Sequence, residues 1–140
     1  MKRIISLILV AVMLFVCISA LSSCGRNAKI AGTYEMTSIS GTVTYNGITT
    51  TLDQDLYEYY RLTLNKDGTA LVECKAKSST SKIEQKAEWD YTDGIIKITS
   101  APQGITVVEE MEWNDGVIIY EAVENSAGIT VSMKLTLEKK

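Results

Sequence analysis

The chain has 140 residues, with 14 basic side chains, 17 acidic side chains and no histidine. A length of this order predicts one domain. The lack of histidine removes the usual general base near neutral pH and the commonest metal ligand. No run of Lys and Arg stands out, so nucleic acid is not expected as a partner, because phosphate binding needs clustered positive charge.

The first 23 residues have the pattern of a cleavable export signal. Lys2 and Arg3 form a basic start, and an almost wholly apolar run follows from residue 4 to 20. The basic end stays inside the cell while the apolar segment enters the membrane. A permanent transmembrane helix needs ~20 apolar residues, so the length of this run alone leaves both alternatives open.

The residues that end the apolar run decide between the two. Residues 21–24, Leu-Ser-Ser-Cys, resemble the lipobox of bacterial lipoproteins. That resemblance implies cleavage before Cys24 and lipidation of its thiol, and each buried CH₂ of an acyl chain such as palmitate contributes ~0.8 kcal/mol to membrane binding. We therefore expect a signal peptide over 1–23 and a lipidated tether over 24–29. The expected location is the extracytoplasmic face of the cell membrane, or the outer membrane where the cell has one.

Cysteine usage limits the covalent chemistry of the mature chain. Cys17 lies in the apolar run and Cys24 is consumed by lipidation, so only Cys74 remains. One thiol allows no internal disulfide and no thiol-based zinc site. Cys74 lies on the small, apolar face of its predicted strand, which favours a buried hydrophobe over a nucleophile. We expect no metal and no cofactor.

From residue 30 onward, turn signals recur at short intervals. Residue pairs that tolerate positive φ in tight hairpins stand at 46–47, 67–68, 93–94 and 115–116. Looser connections are predicted at 102–104 and 125–128, and a polar loop at 78–81. Apolar and polar residues alternate between these signals, which is typical of half-buried antiparallel strands. The predicted strands are 32–39, 41–45, 48–52, 59–65, 69–77, 83–91, 95–100, 104–113, 117–124 and 129–138.

This succession of hairpins predicts an all-β fold. Only residues 52–59 break the alternation, and Asp53 is placed there to cap one helical turn. The lack of a long helical pattern excludes a parallel sheet with crossover helices. An antiparallel up-and-down meander that closes into a barrel or half-barrel is favoured, because closure removes exposed strand edges.

Three segments resemble the small lipocalin-like lipoproteins of bacteria. They are the opening residues 30–36, the hairpin 62–70 with its Asp-Gly-Thr turn, and the strand 87–91 followed by the hairpin 93–98. The chain departs from that pattern at Ala87, where a glycine usually stands two residues before the tryptophan. The resemblance implies a lipocalin-like β domain over residues 30–140. Proteins of that family bind varied apolar ligands or have no known ligand, so the resemblance implies a fold more than a function.

Aromatic residues on predicted inward faces are candidates for lining a ligand cavity. Core packing is the competing interpretation, because each such side chain buries ~150–250 Å². The candidates are Tyr34, Tyr60, Trp89, Tyr91 and Trp113.

Glu109 is the unusual member of its strand. It alternates with Val107 and Met111 and so falls on the inward face, where a carboxylate is costly unless it is paired or solvated. It either orients the polar end of a ligand, or is turned outward by a bulge, or lies at an open rim. Glu121, on the face of Ile119 and Val123, raises the same question.

Two further clusters have simpler interpretations. The acidic residues Asp53, Asp55 and Glu58 lack the spacing and internal glycine of a calcium loop, so a solvated turn is favoured. Residues 57–60, Tyr-Glu-Tyr-Tyr, form either an aromatic contact patch or ordinary edge and core positions.

These observations favour a membrane-anchored, non-enzymatic binding module for a small apolar ligand or an envelope component. The alternative is a protein-interaction or inhibitor lipoprotein that acts through surface loops or an edge strand. A hydrolase that uses Glu109 with a second acid is a weaker third hypothesis, because the sequence shows no catalytic constellation.

Overall fold

A computed structural model describes residues 28–140; the predicted signal peptide and Cys24 lie outside the described residues. Nine strands and two single 3₁₀ turns, Gln54–Leu56 and Pro102–Gly104, make up most of the fold. No helix in the described part of the chain is long and apolar enough to cross a membrane. The strands are β1 Gly32–Tyr45, β2 Ile48–Asp53, β3 Tyr57–Leu64, β4 Thr69–Ala76, β5 Ile83–Thr92, β6 Ile95–Ser100, β7 Val107–Asn114, β8 Val117–Ser126 and β9 Ile129–Lys139.

The strands form a closed eight-stranded antiparallel barrel. Strands β3 to β9 pair in chain order, and β1 closes the ring between β3 and β9. At the closure, Tyr34 of β1 is opposite Leu62 of β3 on one side and Lys139 of β9 on the other. Strand β2 stays outside the ring and pairs with the second half of β1. The predicted all-β up-and-down fold is confirmed, and the alternatives resolve to a barrel.

The packed core fills one half of this barrel, which we call the closed end. The short helical turn at residues 28–30 covers it, and Ile30 is buried there. The Tyr34 hydroxyl donates to the Ile30 carbonyl oxygen at 2.5 Å and accepts from Trp113 Nε1 at 3.1 Å. The buried core side chains are Ile30, Tyr34, Leu62, Leu64, Ala70, Trp89, Ile96, Ile98, Met111, Ile118, Leu135 and Leu137.

The local turn chemistry agrees with the sequence. Asn46, Asp93 and Asp115 all have positive φ, as tight hairpins require. The Asp53 carboxylate accepts from the Asp55 backbone N–H at 2.9 Å, so the predicted cap on a single turn is present.

Strands β1, β7 and β8 differ most from the prediction. Residues 32–39 and 41–45 form one strand with a register shift between Met36 and Ser38, because β9 pairs along both parts of β1. Strand β8 runs to Ser126, and residues 127–128 form a tight two-residue turn instead of a loose connection.

Strand β7 begins at Val107 and not at residue 104. The proline before it starts a 3₁₀ turn at Pro102–Gly104, where Gln103 has a positive φ of 54°. The turn includes Gly104, the first residue of the predicted strand. The alternating apolar pattern alone gave no indication of this overlap.

Replacing Gly41 by Ala should destabilise the barrel strongly. A Cβ at Gly41 would lie 1.9 Å from the Ser132 carbonyl oxygen and 2.8 Å from the Met133 Cα, and its φ is +136°. We expect a loss of about 2–4 kcal/mol in the free energy of unfolding, measured by urea denaturation. Gly94→Ala is the control, because its φ is +85° but nothing lies within 4 Å; about 1 kcal/mol is expected there. Equal losses would contradict the close approach of β1 and β9.

Candidate functional site in the open half of the barrel

In the other half of the barrel interior the side chains are partly exposed, and we call this half the cup. Its side chains point inward because they continue the inward rows of buried residues along each strand. Each of them is nevertheless only half-buried. An eight-stranded barrel has room for one small ligand when side chains do not fill it. The cup is lined by Tyr60, Val72, Cys74, Gln85, Ser100, Glu109, Tyr120 and Met133.

Glu109 points into the cup. It is directly opposite Ile98 of β6, whose side chain is 2% exposed. The β6–β7 register is continuous from Val107 to Glu112, so no bulge turns the carboxylate outward. The inward direction inferred from alternation with Val107 and Met111 therefore holds in the folded chain.

Two tyrosines surround the Glu109 carboxylate. The Tyr120 hydroxyl donates to Glu109 Oε1 at 2.9 Å. Burial, and then the charge of Glu109, raise the pKa of Tyr120 above its ordinary value. Burial likewise raises the pKa of Tyr60 to about 12, with Glu109 as the next cause. Both phenols are therefore neutral hydrogen-bond donors at physiological pH.

The second carboxylate oxygen of Glu109 is free to meet a ligand. Within residues 28–140, Oε1 is the Glu109 oxygen that accepts a hydrogen bond. No buried side-chain oxygen or nitrogen in this part of the chain lacks a partner. Glu109 Oε2 is therefore in contact with solvent inside the cup.

Charge in the cup is negative. Glu109 is the charged residue among those that line it, and Glu124 lies on the same inward row near the rim. The basic strand residues Arg61, Lys75 and Lys134 lie on the outer face, where each pairs with a carboxylate. Within the described ranges, no cation faces Glu109.

The predicted ligand-binding residues divide between the two halves. Tyr60 and Glu109 lie together in the cup. Tyr34 and Trp89 lie in the packed core, and the Trp89 Nε1 donates to the Asn65 carbonyl oxygen at 2.8 Å. These two rings are not exposed to a ligand in the cup.

Trp113 belongs to the closed end. Its ring meets Tyr91 edge-on, with centroids 5.8 Å apart, and Lys29 Nζ lies 5.5 Å from its centroid. These contacts hold the first described residues against the barrel. Trp113 and Tyr91 therefore lie at the closed end and do not line the cup.

The expectation that Glu121 shares an inward face with Ile119 and Val123 is wrong. Their neighbour Ile118 is fully buried, and Glu121 lies on the outer face, 2.8 Å from Lys134 Nζ. Residues 117–120 are apolar on both faces, so alternation did not identify the inward one. The same ambiguity hid Tyr120, which alternation with Ile118 would have revealed.

The remaining candidates form no second site. Asp55 and Glu58 pair with Lys77 and Lys75 respectively. Residues 28–140 contain no group of three acidic or thiol side chains that could hold a metal ion. Cys74 faces the cup, and burial raises the pKa of its thiol, which keeps it neutral.

A separate depression of about 720 Å³ lies on the outer wall over β4, β5 and β6. Its strand residues Thr69, Lys86, Glu88 and Thr99 point away from the core. Its lining also includes Leu71, Ala87 and Ala101, and we assign no function to it.

Comparison with known proteins identifies no family. No protein-family model matches the chain, and no curated protein matches it either. The chain is similar to an uncharacterized protein of known structure from Bacteroides eggerthii, with 17% identity and a TM-score of 0.44, over 79% of this chain and 98% of that one. The function must therefore be argued from the site itself.

Removing the charge of Glu109 should lower the pKa of both cup tyrosines. The Glu109 carboxylate raises the pKa of Tyr60 and Tyr120, so Glu109→Gln should allow both to ionise at lower pH. Phenolate absorbance during alkaline titration measures this. Glu110→Gln is the matched control, because the neighbouring side chain lies on the outer face beside Lys97. Equal shifts in both variants would contradict the inward position of Glu109.

The free energy of unfolding should also depend on Tyr60 at high pH. The unfolded chain releases the Tyr60 proton near pH 10, whereas the folded chain holds it to about pH 12. The contribution of the protonated Tyr60 phenol to the free energy of unfolding is fully present below pH 10 and is lost as pH rises toward 12. The free energy of unfolding, measured by urea denaturation, should therefore fall less steeply over this pH range in Tyr60→Phe than in the wild type.

Proposed function

We propose that the protein is a lipid-anchored, non-enzymatic binding module that holds a small amphiphilic ligand in the cup. The observation that carries this is the Glu109 carboxylate, which points into the half-buried end of the barrel interior with one oxygen free of hydrogen bonds from the described residues. An unpaired carboxylate beside an apolar wall costs desolvation energy. A ligand whose head group binds the carboxylate would offset this cost.

The lining of the cup indicates the chemistry of the ligand. Val72 and Met133 provide an apolar wall, while Glu109 accepts hydrogen bonds and Tyr60 can donate one. A ligand with an apolar body and a cationic or hydroxyl head fits these groups. A carboxylate or phosphate head would meet the negative charge of Glu109 with no cation near it, which costs binding energy.

A binding role suits this set of side chains better than hydrolysis. Two carboxylates that flank the bond are the usual requirement for glycoside hydrolysis, and a paired nucleophile and base for acyl transfer. The second carboxylate on the inward face, Glu124, is exposed at the rim. Beside Glu109, the described cup residues supply tyrosines that stay protonated and the neutral Cys74 thiol. These are groups that position a ligand.

Lipidation at Cys24 would orient the barrel on the membrane. Cys24 precedes Ala28 by four residues, and four residues span at most about 14 Å. Ala28 is the first described residue of the helical segment that covers the closed end. The closed end would therefore lie against the membrane, and the cup would face the aqueous side.

The ligand class can be tested with three amphiphiles that share one chain. Decylammonium and decanol should bind residues 25–140, and decylammonium should bind at least about tenfold more tightly than decanoate, because Glu109 favours a cation. Isothermal titration calorimetry measures the three affinities. Glu109→Gln should remove the preference for the cation, whereas Glu110→Gln should retain it. Equal affinity of the wild type for decylammonium and decanoate would contradict the proposed ligand class.

The anchor can be tested by replacing its cysteine. Cys24→Ser should leave the signal peptide uncleaved and prevent labelling with radioactive palmitate, because the lipidated thiol is missing. Cys17→Ser is the matched control and should be processed and labelled like the wild type. The mass of each purified protein checks the cleavage site. Labelling of the Cys24→Ser variant would contradict the proposed anchor.

A further inference from the structure

The barrel wall is incomplete between β7 and β8. These two strands pair only at Glu112 with Ile119, Trp113 with Ile118, and Asn114 with Val117. Beyond these pairs, β7 continues to pair with β6, and β8 continues to pair with β9. Residues 107–111 and 120–126 therefore face each other with one free edge each. We call this gap the seam.

The backbone groups that face the seam can be identified. Trp113 N–H donates to the Gly94 carbonyl oxygen, so odd residues of β7 bond to β6 and even residues point to the seam. Lys139 N–H donates to the Gly116 carbonyl oxygen, so even residues of β8 bond to β9 and odd residues point to the seam. The residues whose N–H and C=O groups face the seam are Val108, Glu110, Glu121, Val123 and Asn125.

Like charge explains why the seam stays open. If the β7–β8 register continued, Glu110 would stand directly opposite Glu121. Like charges in a directly opposed pair destabilise a sheet. Each carboxylate instead pairs with the strand behind it, Glu110 with Lys97 at 3.3 Å and Glu121 with Lys134 at 2.8 Å. Across the outer face the order is therefore Lys97, Glu110, the seam, Glu121 and Lys134.

The seam also has the shape and surface of a docking site. A crevice of about 240 Å³ lies where the strands diverge, with Glu110, Glu112 and Glu121 in its lining. Val108 is 52% exposed and Val123 is 82% exposed on the outer face of the two free edges. From inside, the long side chains of Tyr120 and Glu109 reach across the gap. Free backbone, exposed valines and three neighbouring carboxylates therefore coincide.

We propose that the seam binds an extended, basic segment of a partner protein as an added β-strand. The segment pairs with the free backbone of β7 and β8, its β-branched residues cover Val108 and Val123, and a Lys or Arg lies between Glu110 and Glu121. That cation completes an alternating row of charges from Lys97 to Lys134. Strand addition gives affinity through the main chain and specificity through alternate side chains.

The negative charge of the seam also selects against a second copy of this chain. If two copies of β7 paired around Glu110, or two copies of β8 around Glu121, the two like carboxylates would lie side by side on one outer face. The barrel interior beside the seam carries Glu109, which adds to the repulsion. A basic partner has none of these costs.

The charge requirement can be tested with the full chain in a neutral detergent and a fluorescent nine-residue peptide. The peptide alternates valine and threonine and has one central arginine. A control peptide of the same sequence has a central glutamate in place of the arginine. Fluorescence anisotropy should show the arginine peptide binding at least about tenfold more tightly at low salt. The double variant Glu110→Gln/Glu121→Gln should lose about tenfold in affinity. Glu88→Gln/Glu138→Gln, which removes two exposed strand carboxylates elsewhere, should lose none.

The backbone requirement can be tested with proline. Val123→Pro removes an N–H that faces the seam and leaves the bonds to β9 intact, so the melting temperature should stay close to the wild-type value while peptide affinity falls about tenfold. Thr51→Pro on the free edge of β2 is the control. No binding of the arginine peptide, equal binding of both peptides, or unchanged affinity in Val123→Pro would each overturn the proposal. So would self-association that Val123→Pro abolishes, because the seam would then belong to a second copy.

Discussion

The closed end of the barrel depends on Tyr34. Its backbone is held between β3 and β9, which closes the ring, and its hydroxyl joins the Ile30 carbonyl to the Trp113 indole. Burial raises the pKa of this phenol, so it remains a donor. One side chain therefore serves both closure and capping, at the end where the expected membrane anchor would join the domain. The cup and the seam lie in the opposite half, where the inward side chains are only half-buried.

The two proposed sites use different parts of the same region. The cup uses inward side chains, above all Glu109 and its tyrosine neighbours. The seam uses backbone groups and the outward carboxylates Glu110 and Glu121. Because side chains alternate along a strand, neighbouring positions of β7 serve an inner and an outer surface. A small ligand and a partner segment could therefore be recognised by the same short stretch of chain without competing for side chains.

Much of this fold could be predicted from the sequence because its determinants are local. Asn46, Asp93 and Asp115 each mark a hairpin through their own backbone preferences, and Asp53 marks its cap. Alternation with Val107 and Met111 pointed to an inward position of Glu109 but left a bulge possible, and the continuous β6–β7 register excludes that bulge. The closed barrel could be expected in outline, since a meander without helices has few other ways to cover its edges.

What could not be predicted depends on pairing between distant strands. The continuity of β1 past Gly41 exists because β9 accommodates it, and no signal near Gly41 says so. Tyr120 was missed because residues 117–120 are apolar on both faces. The seam follows from the register of two strands, which alone brings Glu110 and Glu121 opposite each other. Alternation identifies faces within a strand, but it does not say which strands fail to join.

The pairing of β1 with β9 has a consequence for how the chain folds. It joins eleven residue pairs, from Tyr34 with Lys139 to Tyr45 with Ile129, across almost the whole domain. Contacts this far apart in sequence form slowly, because the entropy of a long loop must be overcome first. During synthesis from the N-terminus, β1 emerges long before β9 exists. Strand β2, which stays outside the ring, gives the first strand an early local partner in the β1–β2 hairpin. The barrel itself closes only when the last strand joins.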